Sequence, residues 1–317
     1  MEPRRRQTSR PLILATALAL LVPASARAQA PLDVLATVGM IADIARLVGG
    51  ECAQVETLVG PGADPHLFTP APSDLAKLQR AELVLYGGLN LEGQLGAVLD
   101  KLSHSRPVVA VSEAAVTEDQ RLASDGQPDP HVWMDPGLWA GTVPVIAAAI
   151  AAERPDCAAE ITANAAATSA ALTALDGWVA TSVATIPQAQ RQLVTAHDAF
   201  AYFGRAYGLE VTAIQGISTA SEAAIADIDA VAATVAESRV PAVFIESTVN
   251  PRTIQALIEA VAARGATVRV GGELYSDALA PAGSPAGTYI GMIRHNAATI
   301  VTALGGTPAP LPPEIAE

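Results

Sequence analysis

His66, His131, His197 and Asp277 stand 65, 66 and 80 residues apart along this chain. Three imidazoles and one carboxylate would fill a tetrahedral transition-metal site, but intervals of that size exclude a local finger or a helical pair. Such a site has to be assembled by the whole fold, between lobes. A site built that way can take up an ion and let it go.

The chain opens on a segment of different character. Arg4, Arg5, Arg6 and Arg10 precede the apolar run Pro11 to Val22, and Ala24-Ser25-Ala26-Arg27-Ala28 offers A-x-A cleavage sites. Residues 1–28 therefore read as a secretory signal peptide, since a run of 12 residues falls short of the roughly 20 a spanning helix needs. No cysteine lies near the junction, so a soluble periplasmic product is expected rather than a lipoprotein. Those 28 residues carry five arginines and one glutamate, so the formal charge of −13 becomes −17 without them. Such acidity disfavours nucleic acid and anionic membranes as partners and concentrates cations, although solubility alone would account for it. The 289 remaining residues suffice for two α/β lobes of ordinary size. Cys52 and Cys157 are the only cysteines; in an oxidising compartment they could pair, but the sequence does not show that they meet. Neither has C-x-x-C spacing or an identifiable base, which argues against a metal-binding or catalytic thiol.

Short apolar runs alternate with helical patterns in both halves. The first half gives strands Leu32–Val38, Val55–Leu58, Leu83–Tyr86 and Val108–Val111, helices Met40–Val48, Asp74–Arg80 (with Ser73 as cap) and Trp139–Ala152, and a polar loop Thr117–Asp129. The second half gives strands Gln192–Thr195, Glu210–Ile214, Ala242–Glu246 and Thr267–Val270. Its helices are Ala199–Tyr207, Ala223–Glu237, Pro251–Arg264 and Thr288–Leu304, followed by a proline-rich tail expected to fray. Between the halves, Cys157 to Thr181 is rich in alanine and free of proline, which favours a long helix. It is either a connector or an ordinary surface helix. The fold class is α/β, with parallel-sheet lobes over 29–156 and 184–317, a linker helix over 157–183, and ligands in loops at the C-terminal strand ends.

Each candidate ligand has a plainer alternative. Gly62-Ala63-Asp64-Pro65 holds His66 on a rigid loop, against a merely exposed histidine. Asp129-Pro130 and Asp135-Pro136 bracket His131 in a fixed turn, where a carboxylate can orient the imidazole; an ordinary capped turn is the alternative. His197 sits at a strand-to-helix junction and could be an N-cap, as could Asp198. Asp277 follows Gly271-Gly272 and could form an Asx-turn. His104, in a polar loop, and His295, beside Arg294 in a helix, are set aside as solvated.

The wording around these residues goes further. GADPHLFTPAPSDLAKLQRAELVLYGGLNLE, DPHVWMDP, VTAHDAFAYFGRAYGLEV, QGISTASEAAIADI, VFIESTVNPRTIQALI and GGELYSDALAPAGSPAGTYIGMIRHN resemble, in order, signature stretches of the zinc- and manganese-binding solute-binding proteins of ABC importers. The resemblance covers nearly the whole mature chain. It implies two α/β sandwich lobes joined by one long connecting helix, with the metal in the inter-lobe cleft. His66 and His131 would come from the first lobe and His197 and Asp277 from the second. Many manganese-selective members carry glutamate at the third position; His197 places this chain with the three-histidine, one-aspartate subgroup, which includes binders of both metals.

The resemblance thus implies a monomeric periplasmic protein, not an enzyme, that captures Zn2+ or Mn2+ as transported ligand and delivers it to a membrane permease with its ATPase. Imidazole donors favour zinc by a narrow margin. The phrases around QGISTASEA and the absence of histidine from Glu113 to Pro130 pull toward manganese. Binding should weaken below about pH 6, as free imidazoles protonate. Glu246 is placed either to orient a ligand or to cap a helix or face solvent. A metal chaperone or adhesin of the same fold is the alternative. A secreted zinc hydrolase is more remote, since a fourth ligand closes the position water would need and H-E-x-x-H and G-x-S-x-G are absent.

Overall fold

The run LDVLA forms β1 (Leu32–Ala36), with four of its five residues buried, as befits a parallel strand covered on both faces. This computed structural model describes residues 30–124 and 126–316, so the leader read at 1–28 lies outside the described residues. After β1 come α1 (Gly39–Gly49), β2 (Ala53–Thr57), α2 (Pro72–Arg80), β3 (Leu83–Tyr86), α3 (Gly96–Ser103) and β4 (Val108–Ala110). The four strands pair in parallel in the order β2-β1-β3-β4. Met40, Ile41, Ile44 and Val48 recur at helical spacing in α1 and are buried against this sheet.

The chain then leaves the sheet through α4 (Val111–Ala115), a small hairpin of β5 (Ala123–Ser124) and β6 (Gln127–Pro128), α5 (Pro136–Trp139) and α6 (Thr142–Glu153). Next is α7 (Ala158–Val183), whose 26 residues span about 39 Å at 1.5 Å per residue. The second half repeats the alternation: β7 (Gln192–His197), α8 (Ala201–Tyr207), β8 (Glu210–Gln215), α9 (Ile225–Ser238), β9 (Ala242–Glu246), α10 (Arg252–Ala263), β10 (Arg269–Leu274) and α11 (Tyr289–Ala303). Parallel pairs β7–β8 and β9–β10 lie with β7 beside β9, so the order β8-β7-β9-β10 echoes the first half. The architecture is two α/β lobes with one long helix, α7, packed on α1, α5 and α6 from the first and on α8 and α11 from the second. Cys52 and Cys157 form a disulfide that ties the turn after α1 to the start of α7.

Several elements depart from the sequence reading. α2 starts at Pro72, and Asp74, not Ser73, closes its end by accepting from the Ala71 N–H at 3.0 Å. Gly271-Gly272 lie inside β10, which runs on past the strand end read at Val270. Their missing side chains admit close neighbours, since a Cβ on Gly271 would stand 2.6 Å from the Phe244 ring and one on Gly272 2.5 Å from Thr299. Nor does the tail fray. Its Ala309 carbonyl accepts from Trp178 Nε1, its Ala309 N–H donates to Ser182 Oγ, and Ile315 is buried, so the tail straps α7. The short helices α3 and α4, and the separation of α5 from α6, were not legible from periodicity.

Candidate metal centre

His197 is the last residue of β7, and Asp277 lies three residues past the end of β10. His66 lies in the long loop from β2 to α2; these three occupy C-terminal strand ends. His131 does not, because α4 and the β5–β6 hairpin intervene between β4 and its turn.

Carboxylates fix two of the rings. Asp129 Oδ1 accepts from the His131 N–H at 2.9 Å and faces His131 Nδ1 at 2.7 Å. Glu246, at the end of β9, uses Oε1 to accept from the Ala196 and His197 N–H groups at 2.8 and 2.9 Å and Oε2 to hold His197 Nδ1. With Nδ1 so committed, each ring turns Nε2 inward, the arrangement by which partners outside a site orient histidine ligands. Glu246 therefore orients His197 and neither caps a helix nor faces solvent. The clue in the sequence was its place at the end of a strand; that this strand packs beside the strand of His197 is visible only in the fold. His66 is held differently: Asp64 Oδ1 accepts from its main-chain N–H at 2.8 Å, while Asp64 Oδ2 accepts from Thr219 in the other half. Neither His197 nor Asp198 caps α8, whose N-cap is Phe200 without a side-chain bond.

The four side chains converge. One donor atom from each lies within 4.8 Å of the others, and all four residues are buried. His131 Nε2 to Asp277 Oδ1 and His197 Nε2 to Asp277 Oδ2 are both 3.2 Å, His66 Nε2 to His131 Nε2 is 3.4 Å, and His66 Nε2 to Asp277 Oδ2 is 3.9 Å. Donors about 2.0–2.1 Å from a central zinc ion would be separated by about 3.3 Å along a tetrahedral edge. The separations of 3.2–3.4 Å among His131, His197, Asp277 and His66 match such an edge, and the 3.9 Å from His66 to Asp277 Oδ2 is wider.

Electrostatics point the same way. His197 Nε2 and both Asp277 oxygens are buried without a hydrogen-bond partner among the described residues, although the nitrogen and a carboxylate oxygen lie at ion-pair distance. Each such atom costs about 1–3 kcal/mol, so the arrangement makes sense only around a cation. Burial pulls the His131 imidazole down, but the charges of Asp129 and Asp277 and the Asp129 hydrogen bond outweigh it and raise the pKa to about 9. For His197 burial also opposes, yet Glu246 and Asp277 hold it well above the usual value. Burial pushes Asp277 up, while His197 and His131 more than offset this and keep it well below the carboxylate range. Burial dominates at His66, lowering it to about 4. A centre walled by Asp129, Glu246 and Asp277 calls for positive charge, which protons or a divalent ion can supply.

His104, whose Nδ1 meets the Asp100 carbonyl, and His295, whose Nε2 meets that of Glu273, lie outside the cluster.

Comparison with known proteins gives the family. The family profile described as zinc-uptake complex component A, periplasmic (ZnuA), matches residues 34–303. The zinc-binding protein TroA of Treponema pallidum is 44% identical over 271 residues, covering 86% of this chain and 88% of that protein. The manganese-binding lipoprotein MntA of Bacillus subtilis is 42% identical over 274 residues, covering 86% and 90%. The solved structure of the periplasmic zinc-binding protein TroA superposes with a TM-score of 0.85 at 45% identity, over 87% of this chain and 99% of that one.

Proposed function

The chain belongs to the ZnuA family of periplasmic metal-uptake components, and from that premise we propose that it is the solute-binding protein of an ABC importer whose cargo is held by His66, His131, His197 and Asp277. The observation that carries the ligand assignment is the meeting of four donor side chains from distant parts of the chain, three of whose buried atoms have no other partner among the described residues. In this reading the neutral imidazoles and the ionised carboxylate capture a divalent ion, and no bond in a substrate is broken. The protein is a periplasmic monomer, freed by cleavage after Ala28, and it hands the ion to a permease driven by an ATPase. Residues 29–156 and 184–317 act as the lobes and 157–183 as their connector.

Zinc stands narrowly ahead of manganese. Three imidazoles suit zinc, while manganese prefers oxygen donors. Against this, Asp277 turns one oxygen toward His131 and the other toward His197, so it can offer both to an ion that accepts five donors. One relative is named for zinc and the other for manganese. Competition between the two ions, read by calorimetry and by elemental analysis after dialysis, tests this reading. One ion per chain with zinc displacing manganese is expected; a chain that retains neither would overturn it. Detection of a permease and an ATPase encoded beside the gene would separate an importer from a metal chaperone or adhesin.

A further inference from the structure

Asp277 is the one carboxylate in the cluster, and among the described residues no hydrogen bond from a side chain aims it. Both its oxygens lack hydrogen-bond partners among the described residues, whereas His131 and His197 are each fixed by a carboxylate on Nδ1. Its direction must therefore come from the main chain that carries it, and that main chain is pinned with unusual completeness. Where β10 ends at Leu274, the next peptide groups lose their ladder partners, and Asn296 of α11 supplies replacements. Its Oδ1 accepts from the Tyr275 N–H at 2.9 Å and its Nδ2 donates to the Tyr275 carbonyl at 2.8 Å. Only an amide side chain offers a donor and an acceptor side by side in this way, and Asn296 is wholly buried. One residue on, the Ser276 carbonyl accepts from Trp133 Nε1 at 2.8 Å. Trp133 comes from the other lobe, two residues past His131, and its own carbonyl accepts from the Tyr289 hydroxyl at 2.7 Å.

We infer that Asn296 and Trp133 are positioning residues for Asp277, setting metal affinity through the peptide groups of Tyr275 and Ser276 without touching the ion. The inference rests on Asp277 being a ligand. The amide grips the strand end from behind, and the indole ties it to the turn that carries His131, so both Asp277 oxygens stay at 3.2 Å from the two fixed imidazoles. A bond lost at either point leaves a two-torsion side chain on a loose backbone, and the carboxylate samples directions away from the ion.

The test is a double-mutant cycle on zinc affinity in the mature protein. Asn296→Leu alone should weaken zinc binding by about tenfold, the lower end of what partners outside a metal site are worth. In an Asp277→Ala background the same change should alter the residual affinity by less than about twofold, because residues that act only through one another are not additive. Equal losses in both backgrounds would overturn the inference and assign Asn296 a general structural role. Trp133→Phe, which keeps an aromatic ring and deletes the donor, provides the same cycle should the leucine variant fail to fold, with the same two readings. An unchanged affinity in Asp277→Ala alone would remove the ligand assignment itself, an outcome distinct from failure of the cycle.

Discussion

The rings of His131 and His197 are each clamped through Nδ1 by a buried carboxylate, Asp129 or Glu246, and neither is exposed to solvent. His66 sits on a long loop, keeps 7% of its surface exposed, and is held through its main-chain N–H, with no carboxylate on its ring among the described residues. The protonation tendencies divide the same way, with the two clamped imidazoles raised and His66 lowered to about 4. The difference assigns roles within one donor set. On the proposed ligand assignment, a pair of fixed histidines with Asp277 forms the seat, and a neutral, less anchored histidine completes it.

The largest effect should come from the seat. His197→Ala or Asp277→Ala is expected to reduce zinc affinity by well over a hundredfold, since even partners outside the site are worth about ten- to a hundredfold. Isothermal titration with a competing chelator would read this, and a modest loss would break the seat. Glu246→Gln keeps the shape but removes the charge behind His197, so a drop of about ten- to a hundredfold is expected, with Asp129→Asn behaving alike at His131. His66→Ala should cost less than His197→Ala and act mainly on the rate of release, which stopped-flow transfer to a chelator would resolve. Equal losses at His66 and His197 would erase the distinction between them.

The pH dependence sharpens the same contrast. A folded-state pKa raised from 6.5 to about 9 at His131 contributes stability to the metal-free protein that is present below pH 6.5 and lost as pH climbs through 9. Zinc-loaded protein has no such proton to lose, so the rise in melting temperature on zinc loading should widen between pH 6.5 and 9. Competition from the proton on His131 also means affinity should begin to fall below about pH 9, higher than free imidazole would imply. His66, already neutral, adds nothing to this slope above about pH 4. The smallest effect on binding belongs to the disulfide. Cys52→Ser with Cys157→Ser opens a loop of 105 residues and should cost about 2–5 kcal/mol of stability, while zinc affinity on the folded protein stays unchanged.

Much of this was legible in the sequence, for identifiable reasons. Strands such as Ala242–Glu246 carry unbroken apolar runs between turn residues, and α7 announces itself by alanine content and length. The four residues that meet in the cluster were singled out because six phrases stand in register along the chain, although a D-P-H triplet alone is unspecific. What escaped depends on contacts that no local pattern encodes. Glu246 orients His197 only because β9 lies beside β7, and Asn296 grips Tyr275 from a helix 21 residues further along. The strand read to Val270 runs on through Gly271 and Gly272, where the Phe244 ring and Thr299 occupy the space side chains would need. The proline-rich tail has loop composition, and its order comes from α7.

X-ray absorption at the zinc edge of the loaded protein tests the central claim most directly. Three imidazole nitrogens and carboxylate oxygen at about 2.0–2.2 Å, with the imidazole count falling to two in His197→Ala, is the predicted result. A shell of fewer than three imidazoles in the unaltered protein, or one containing sulfur, would contradict the account.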